Sequence, residues 1–235
     1  MSFSAYPIQF YQNRRAQTAA AARRIFDLLP EGLVLDRVAD IGCGTGTWLA
    51  AALERGATSV YGVEGAWVTP DMLDDPRIVF AQGDLEQKLT LAPVDLAISL
   101  EVAEHLSPER AKSFVADLVA LAPAVLFSAA IPGQGGVNHI NEQWQSYWAG
   151  LFARHGLVPC DVIRPAIWSD GEIAPWYKQN IVLYVSPAQR DELGLSSTED
   201  LALLDVVHPA FWERANRELV HAGALPESSY LKAEG

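Results

Sequence analysis

The sequence predicts an α/β protein with a mostly parallel sheet that is covered by helices on both faces. Between residues 37 and 131, short β-branched or aromatic runs alternate with helical patterns, as in successive βαβ units. The first of these runs continues directly into a glycine-rich turn, which is where such sheets bind ligands. With 235 residues, the chain is long enough to bury a large core without disulfides or a structural metal.

Each element follows from local composition and from turn residues. An Ala-rich stretch, residues 12–29, precedes Pro30-Glu31-Gly32 and is predicted to be a helix that ends there. The next predicted strands are residues 37–42, 58–63, 77–81, 94–100 and 124–131, with helices at 47–55 and 108–121. A glycine-rich loop at 132–138 leads to an aromatic helix (142–155), strands at 158–164 and 180–185, and a helical stretch at 198–221.

No linker-like segment separates these elements, so we expect a single domain over residues 1–235. Residues 1–34 are expected to form an N-terminal helical lid that includes Tyr6, Phe10 and Tyr11. Residues 35–185 would be the ligand-binding core and residues 186–235 a C-terminal helical extension.

Charge and composition exclude several classes of protein. There are 17 Lys and Arg against 29 Asp and Glu, a net charge of −12 that disfavours binding to nucleic acid. The longest strongly apolar run, residues 118–131, is interrupted by Pro123 and is too short to cross a membrane. No signal peptide is visible, and two cysteines fit neither a disulfide framework nor a cysteine-based zinc site. We therefore expect a cytoplasmic protein without membrane contact.

The most informative segment is Val38-Ala-Asp-Ile-Gly-Cys-Gly-Thr-Gly46, where a strand ends in an acidic residue and a G-x-G-x-G turn opens a helix. Glycines allow the backbone to turn tightly and to approach a ligand where a Cβ would clash. The dinucleotide fingerprint needs Gly or Ala at the position of Thr47, which weakens a dehydrogenase as an alternative. Asp40 also suits a ligand with an ammonium group better than a pyrophosphate.

Acidic residues recur at the ends of the next three strands. Glu64 ends the second strand and is placed to accept hydrogen bonds from both hydroxyls of a ribose. Asp84 follows the third strand, where it can meet an adenine amine or simply cap its own turn. The fourth strand ends in Ser99-Leu-Glu-Val-Ala-Glu-His-Leu106. Open α/β sheets bind ligands at these carboxyl ends.

The segments DIGCGTG, VEG, GDL and SLEVAEHL, in this order, make residues 35–185 resemble the class I S-adenosylmethionine (SAM)-dependent methyltransferases of the small-molecule type. The resemblance implies SAM as cofactor and a Rossmann-like seven-stranded sheet, mostly parallel with an antiparallel last strand. It assigns the methionine part of SAM to Asp40, Gly42, Gly44 and Gly46, the ribose to Glu64, and the adenine to Asp84 and Leu85. Cys43, expected to pack beneath the loop, and Leu100 complete this cofactor-binding set.

Glu101, Glu104 and His105 form an E-x-x-E-H run, which on a helix would place all three side chains on one face. Two carboxylates and an imidazole suit a divalent metal. The run is similar to the metal-binding motif of the small-RNA 2′-O-methyltransferases and of some ubiquinone-pathway O-methyltransferases. Together with His139 it gives an alternative metal site, whereas the preferred interpretation is a helix start that shapes the SAM pocket without a metal.

The region after the fifth strand is predicted to bind the methyl acceptor. His139 is the predicted general base and Glu101 the second candidate, although His139 could also be a structural loop residue. The predicted acceptor contacts, which could instead belong to the core, are Asn138, Trp144, Tyr147, Trp148 and Trp168. The predicted reaction is methyl transfer from SAM to a small molecule, at oxygen. RNA 3′-end 2′-O-methylation and non-catalytic SAM binding remain alternatives, and a homodimer is left open.

Overall fold

The computed structural model of the chain describes residues 8–222, with side chains from residue 15 onward. The helices are α1 (Ile8–Leu28), α2 (Thr47–Glu54), α3 (Ala111–Leu121), α4 (Gln145–Ala153), α5 (Arg164–Ile167), α6 (Pro175–Asn180), α7 (Pro187–Glu192) and α8 (Pro209–His221). The strands are β1 (Arg37–Ile41), β2 (Ser59–Glu64), β3 (Val79–Gln82), β4 (Leu96–Leu100), β5 (Ala124–Ser128), β6 (Val158–Cys160) and β7 (Val182–Val185). Short 3₁₀ turns occur at Pro70–Met72, Ala103–His105 and Leu201–Leu204.

The strands form one seven-stranded sheet in the order β3-β2-β1-β4-β5-β7-β6. Neighbouring strands from β3 to β5 pair in parallel, whereas β7 is antiparallel to both β5 and β6. This arrangement confirms the predicted fold class. Because the strand order reverses direction at β1, the carboxyl ends of β1 and β4 flank the crevice where open α/β sheets bind ligands.

Apolar side chains pack against both faces of the sheet. On one face, Phe26 of α1 and Trp48 of α2 belong to a core cluster that also includes Tyr177 of α6. On the other face, Phe114 of α3 packs in a second cluster with Phe127 of β5. None of the helices in the described part combines the length and apolar character that a membrane crossing requires.

Several predicted boundaries shift in the structure. The strand predicted at residues 158–164 ends at Cys160, and α5 and α6 occupy part of the segment before β7. The helical stretch predicted at 198–221 is divided into a 3₁₀ turn and α8, because Pro209 begins a new helix. The side chain of His208 caps that helix by accepting a hydrogen bond from the amide of Ala210 at 3.2 Å. Tyr6 and the side chains of Phe10 and Tyr11 lie outside the described residues.

Candidate active site

The glycine turn between β1 and α2 is fixed by contacts within the protein itself. Gly42 has a φ of 89°, and a Cβ there would lie 2.4 Å from a methyl of Val102. Gly46 has a φ of 79°, and a Cβ there would lie 2.5 Å from a methyl of Ile78. These two glycines are therefore required both by backbone conformation and by packing of neighbouring side chains against the turn.

Two buried carboxylates stand at the carboxyl ends of β1 and β2. Asp40 is 2 % exposed, and its Oδ2 has no hydrogen-bond partner among the described residues. Burial, and then the charge of Glu64, raise the pKa of Asp40 well above its ordinary value. The Glu64 carboxylate accepts hydrogen bonds from the amides of Gly44 and Gly65, each at 2.9 Å. Burial raises the pKa of Glu64, and these two amides offset part of that rise.

An orphaned, buried carboxylate oxygen is costly unless a cationic or donating group meets it. The ammonium group in the methionine part of SAM fits that requirement at Asp40. The chemistry of this pair of carboxylates therefore agrees with a ligand that carries both an ammonium group and a ribose.

The other predicted cofactor residues differ in their burial and in their contacts. Cys43 is buried and its Sγ would lie 2.8 Å from a Cβ on Gly62, so its side chain packs beneath the loop. Burial raises the pKa of this thiol. Asp84 is exposed and caps its own turn, since its Oδ1 accepts a hydrogen bond from the amide of Glu86 at 3.0 Å. Leu85 and Leu100 are half-buried beside the site.

An aromatic residue that the sequence analysis missed lies beside Glu64. The indole of Trp67 covers Gly65, where a Cβ would fall 2.2 Å from the ring. Trp67 is nevertheless 39 % exposed, so part of its surface is open to a ligand. The signal in the sequence was the glycine immediately after the strand-end acid, with a large aromatic two residues later.

The segment that carries the E-x-x-E-H run is a 3₁₀ turn, and the prediction that these residues share one face of an α-helix is wrong. Glu101 precedes the turn with a φ of 56°, a conformation that is uncommon outside glycine. Its amide donates to the carbonyl of Ser128 at 3.0 Å, which ties the strained residue to β5. The chain therefore bends immediately after β4, at the edge of the predicted ligand crevice.

The Glu101 carboxylate is held by two amide side chains that are distant in sequence. The Nε2 of Gln134 and the Nδ2 of Asn180 each donate to it at 3.0 Å. Burial raises the pKa of Glu101, and the hydrogen bonds from these amides oppose that rise. Asn180 also donates to the Oε1 of Gln134 at 2.9 Å, and Gln179 donates to the same oxygen at 2.9 Å. Glu101 is thus one end of a buried polar network.

Glu104 lies deeper than Glu101. Its side chain is 1 % exposed, and neither carboxylate oxygen accepts a hydrogen bond of normal geometry among the described residues. Burial, and then the charge of Glu101, raise the pKa of Glu104 well above its ordinary value, although the nearby amides of Glu104 and Ala130 lower it in part. For the neighbouring His105, burial and then the charge of His139 lower the pKa to about 4, so this ring is neutral at pH 7.

The glycine-rich loop after β5 brings His139 to this turn. The amides of Ile140 and Asn141 donate to the carbonyl of Glu104 at 2.9 and 3.0 Å, which pins the loop over the turn. Glu104, His105 and His139 each offer a ligand atom, and these atoms lie within 4.8 Å of one another. Glu101 is not part of this group, so the four-residue alternative predicted from the sequence is reduced to three.

Glu142 organises the loop and was not identified from the sequence. Its carboxylate accepts hydrogen bonds from the amides of Gly133 and Gly135 at 2.8 and 2.9 Å. The Nδ1 of His139 lies 2.8 Å from the same carboxylate. The i, i+3 spacing of His139 and Glu142 was the only signal in the sequence for this contact.

The predicted acceptor residues do not form one surface. Trp148 is 1 % exposed and packs on Phe127 with ring centroids 5.2 Å apart, so it belongs to the core and its prediction as an acceptor contact is corrected. Trp144 precedes α4 and is 40 % exposed, whereas Tyr147 is half-buried. The predicted common helical face of the three aromatic residues is therefore absent, because the helix begins only after the first of them.

The two remaining predicted contacts lie in different surroundings. Asn138 is exposed, has a φ of 61°, and faces the Nδ1 of His105 with its carbonyl oxygen at 3.3 Å. Trp168 packs on His208 with ring centroids 4.8 Å apart. Tyr177, which the sequence did not single out, is buried close enough for the charge of Glu101 to add to the effect of burial, and its pKa rises to about 12.

The seven-stranded sheet, with an antiparallel last pair of strands and helices on both faces, is the Rossmann-like methyltransferase fold. The family model of the FtsJ-like methyltransferases matches residues 11–146, more than half of the chain, and the chain belongs to this family. This confirms the predicted class, a SAM-dependent class I methyltransferase. No curated protein sequence matches the chain significantly.

Solved methyltransferases share the fold at low sequence identity. Magnesium protoporphyrin IX methyltransferase of Synechocystis PCC 6803, solved with SAH (the demethylated form of SAM), is 17 % identical, with a TM-score of 0.53 over 79 % of this chain and 90 % of that one. An O-methyltransferase of neocarzinostatin biosynthesis, solved with SAH and 1,4-dihydroxy-2-naphthoic acid, is 16 % identical, with a TM-score of 0.55 over 76 % and 56 %. Human N-acetylserotonin methyltransferase with SAM is 14 % identical, with a TM-score of 0.54 over 76 % and 55 %.

Proposed function

We propose that the protein transfers the methyl group of SAM to a hydroxyl oxygen of a small-molecule acceptor. The observation that carries this proposal is the placement of two groups of side chains at one edge of the sheet. Asp40 is the penultimate residue of β1 and Glu64 the last residue of β2, while Glu101 directly follows β4 and the His139 loop lies over the turn beyond it. Since β1 and β4 are hydrogen-bonded neighbours, this placement supports a cofactor-binding group and a proton-accepting group that act side by side.

The cofactor supplies a methyl group on an activated sulfonium, so the protein contributes mainly binding, orientation and exclusion of water. Asp40 would accept a hydrogen bond from the ammonium group, which supplies the positive charge that its buried carboxylate lacks. Glu64, oriented by the amides of Gly44 and Gly65, would accept from the ribose hydroxyls. Asp84, Leu85 and the indole of Trp67 would border the adenine. Gly42, Gly46, Cys43 and Leu100 would complete the pocket through backbone and packing.

An acceptor hydroxyl must lose its proton, and His139 is the candidate base. A carboxylate such as Glu142 accepts hydrogen bonds, so the Nδ1 of His139 is assigned as the donor, and in the neutral ring the lone pair is then on Nε2. This oriented imidazole is the arrangement that general base catalysis needs. Glu101 is the second candidate, but Gln134 and Asn180 already donate to its oxygens. The proton-accepting site is the reason to propose oxygen as the methylated atom.

A small molecule is favoured over RNA by the distribution of charge. Nine arginines, among the residues whose side chains are described, form ion pairs with nearby carboxylates: Arg15, Arg23, Arg37, Arg55, Arg77, Arg110, Arg164, Arg190 and Arg214. Arginines neutralised in this way contribute little to binding a phosphate backbone, and the net charge of −12 repels it. Asn138, Trp144, Tyr147 and Trp168 remain candidates for acceptor contacts.

RNA 2′-O-methylation is the second candidate. The family match supports it, because the FtsJ-like family also includes RNA 2′-O-methyltransferases. The experiment is a transfer assay with methyl-labelled SAM, the full-length protein, and three acceptor pools: hydroxylated aromatic metabolites, the corresponding amines, and RNA.

We expect label in the hydroxylated metabolites and none in the corresponding amines or in RNA. His139→Ala should lower kcat by about 10²–10⁴-fold, the range for loss of a general base. His155→Ala, at an exposed histidine after α4, is the matched control and should keep full activity. If only RNA is labelled, the second candidate replaces the proposal. If the protein binds SAM but labels none of the three acceptor pools, it is a SAM-binding protein without this activity.

A further inference from the structure

The segment that follows β7 returns to the network of amide side chains that holds Glu101, although the proposed transfer assigns this segment no role. The backbone amide of His208 donates to the Oε1 of Gln179 at 2.9 Å. Farther along the segment, in α8, the Nη2 of Arg214 donates to the backbone carbonyl of Gln134. Both glutamines belong to the hydrogen-bond network that ends at Glu101, so the segment meets this network at two points.

Gln179 is the residue through which most of this network passes. It is fully buried, and its Nε2 donates to the Oε1 of Gln134 at 2.9 Å and to the Oδ1 of Asn180 at 3.1 Å. A backbone amide can only donate, so the Oε1 of Gln179 must face the amide of His208. The two ends of the Gln179 carboxamide are therefore assigned by a backbone group and not by choice between equivalent orientations.

The orientation of Gln179 is passed on to Glu101. The Oδ1 of Asn180 accepts from Gln179, so its Nδ2 is the end that turns to the Glu101 carboxylate, at 3.0 Å. The Oε1 of Gln134 accepts from Gln179 and, at 3.4 Å, from the amide of Ile131, so its Nε2 also turns to Glu101, at 3.0 Å. Two N–H donors thus meet the carboxylate, which is the arrangement that favours its ionised form.

The contact of Arg214 with Gln134 is prepared within α8 itself. The guanidinium of Arg214 lies 5.1 Å from the ring centre of Phe211, and its Nε lies 3.7 Å from the Glu218 carboxylate. None of the 13 residues of α8 is buried, so apolar packing contributes little to its position. The hydrogen bond to Gln134 connects this helix to the loop that leads to His139.

Glu101 and His139 are near enough to influence each other's charge. Burial raises the pKa of Glu101, while hydrogen bonds from Asn180, Ser128 and Gln134, and then the charge of His139, lower it in part. When His139 accepts the proton of an acceptor hydroxyl, its ring becomes positively charged. An ionised carboxylate held at a fixed position nearby stabilises that charge without having to reorganise.

We propose that Gln179 and Arg214 are positioning residues for methyl transfer. Gln179 acts through its two amide neighbours to hold the Glu101 carboxylate in one orientation, and Arg214 holds the backbone of Gln134 and thereby the loop that carries His139. Neither residue touches the cofactor or the acceptor. The inference rests on the proposed function, and it makes the segment after β7 a functional part of the acceptor side of the crevice.

The kinetic test uses the full-length protein and the acceptor that the wild type methylates. Gln179→Met should lower kcat by about 10–100-fold and Arg214→Met by about 10-fold, because small displacements of reacting groups are costly. The dissociation constant of SAM, measured by calorimetry, should stay within about threefold, since Asp40 and Glu64 lie on other strands. Arg214→Lys keeps a donor for the Gln134 carbonyl and should recover most of the rate. Arg217→Met, at an exposed arginine of the same helix, is the matched control and should keep full activity.

Hydrogen exchange tests the loop without SAM or acceptor. The amides of Ile140 and Asn141 donate to the carbonyl of Glu104, so their exchange rates report how firmly the loop is held. We expect these two amides to exchange at least about tenfold faster in Arg214→Met than in the wild type, and at the wild-type rate in Arg217→Met. Unchanged exchange in Arg214→Met would show that Arg214 does not hold the loop, and this part of the inference would be wrong.

The outcomes separate this inference from the proposed function. If the wild type methylates no acceptor, the proposed function fails, while the exchange rates still decide whether Arg214 holds the loop. If the wild type is active and both Met variants keep its kcat, neither residue positions reacting groups. A loss of kcat accompanied by an equal loss of SAM affinity indicates general loss of structure and also overturns the inference. If Gln179→Met does not fold, the rate and the exchange of Arg214→Met, with its recovery in Arg214→Lys, decide.

Discussion

The two halves of the crevice are built in different ways. In the half formed by β1 and β2, the acids lie at the ends of neighbouring strands. The amides that orient Glu64 belong to Gly44 and Gly65, a few residues after the ends of the same two strands. In the half formed by β4, the key contacts join residues far apart in the chain, such as Glu101 with Asn180, 79 positions apart. One half is thus a local motif, and the other is an assembly of segments.

Because of this difference, substitutions in the two halves should have different effects on cofactor affinity and on stability. A substitution in the β1–β2 half should change cofactor affinity while the protein remains folded, because the site rests on its own strands. Substitutions in the β4 half should change both activity and stability. Gln134, Asn180 and Glu142 belong to hydrogen-bond networks that also hold loops and helices in place. Four measurements test this distinction, beginning with the largest expected effect.

Glu64→Ala should weaken SAM and SAH binding by more than about 100-fold. Two charge-assisted hydrogen bonds to the ribose are lost, each worth about 1.5–3 kcal/mol. Calorimetry measures the dissociation constants, and Glu31→Ala, an exposed glutamate before β1, is the control. If Glu64→Ala binds SAM as tightly as the wild type does, Glu64 does not hold the ribose.

Trp148→Ala should destabilise the protein by about 3–5 kcal/mol, the usual cost of removing a buried tryptophan. The residue packs against Phe127 in the core beneath the β4–β5 half. Denaturant unfolding measures the loss, with the exposed Trp212 changed to Ala as the control. A stable variant with a raised acceptor KM would show instead that Trp148 contacts the acceptor.

Asp40→Asn should lower SAM affinity while the SAM-free protein keeps or gains stability at pH 7. Removing one partner of a buried charge pair costs about 2–5 kcal/mol of binding. The pKa of Asp40 is raised in the folded state, so its unfavourable contribution is absent below the unfolded pKa and grows as pH rises toward the folded pKa.

Thermal unfolding of wild type and Asp40→Asn across pH 4–7, without SAM, measures this dependence. The Tm of the variant should increasingly exceed that of the wild type as pH rises. If the difference between the two Tm values instead becomes smaller as pH rises, a group other than the cofactor stabilises the Asp40 carboxylate in the folded protein.

Trp67→Ala should reduce SAM affinity by about 1–3 kcal/mol, the range for stacking of a base on an aromatic side chain. Trp67→Phe should retain most of the affinity, because a flat ring still covers Gly65. Calorimetry with adenosine and with ribose phosphate as competitors of SAM shows whether the adenine is involved. If it is, Trp67→Ala should weaken the binding of adenosine but not that of ribose phosphate. Equal affinities for all three proteins would confine the role of Trp67 to packing.

The cofactor half was predictable because its signals are short and ordered along the chain. Asp40 and Glu64 lie at the ends of strands whose hydrophobic pattern is plain, the glycine turn follows the first of them, and parallel strands bring their ends to one edge. The same reasoning failed for the E-x-x-E-H run, since the helix it assumed is a 3₁₀ turn with a strained residue before it. Spacing along a chain defines a shared face only where the backbone is regular.

The sequence by itself determined the class of sheet and the edge at which the acidic strand ends and the glycine turn meet, because strand patterns and turn glycines act locally. Only the tertiary structure decided that Trp148 is core, that Glu142 orients His139, and that Gln134 and Asn180 hold Glu101. It also showed that the Glu104 carboxylate is buried beside two histidines and, among the described residues, accepts no hydrogen bond of normal geometry. These properties depend on which loops meet after folding, and such contacts between distant segments leave no periodic pattern in the chain.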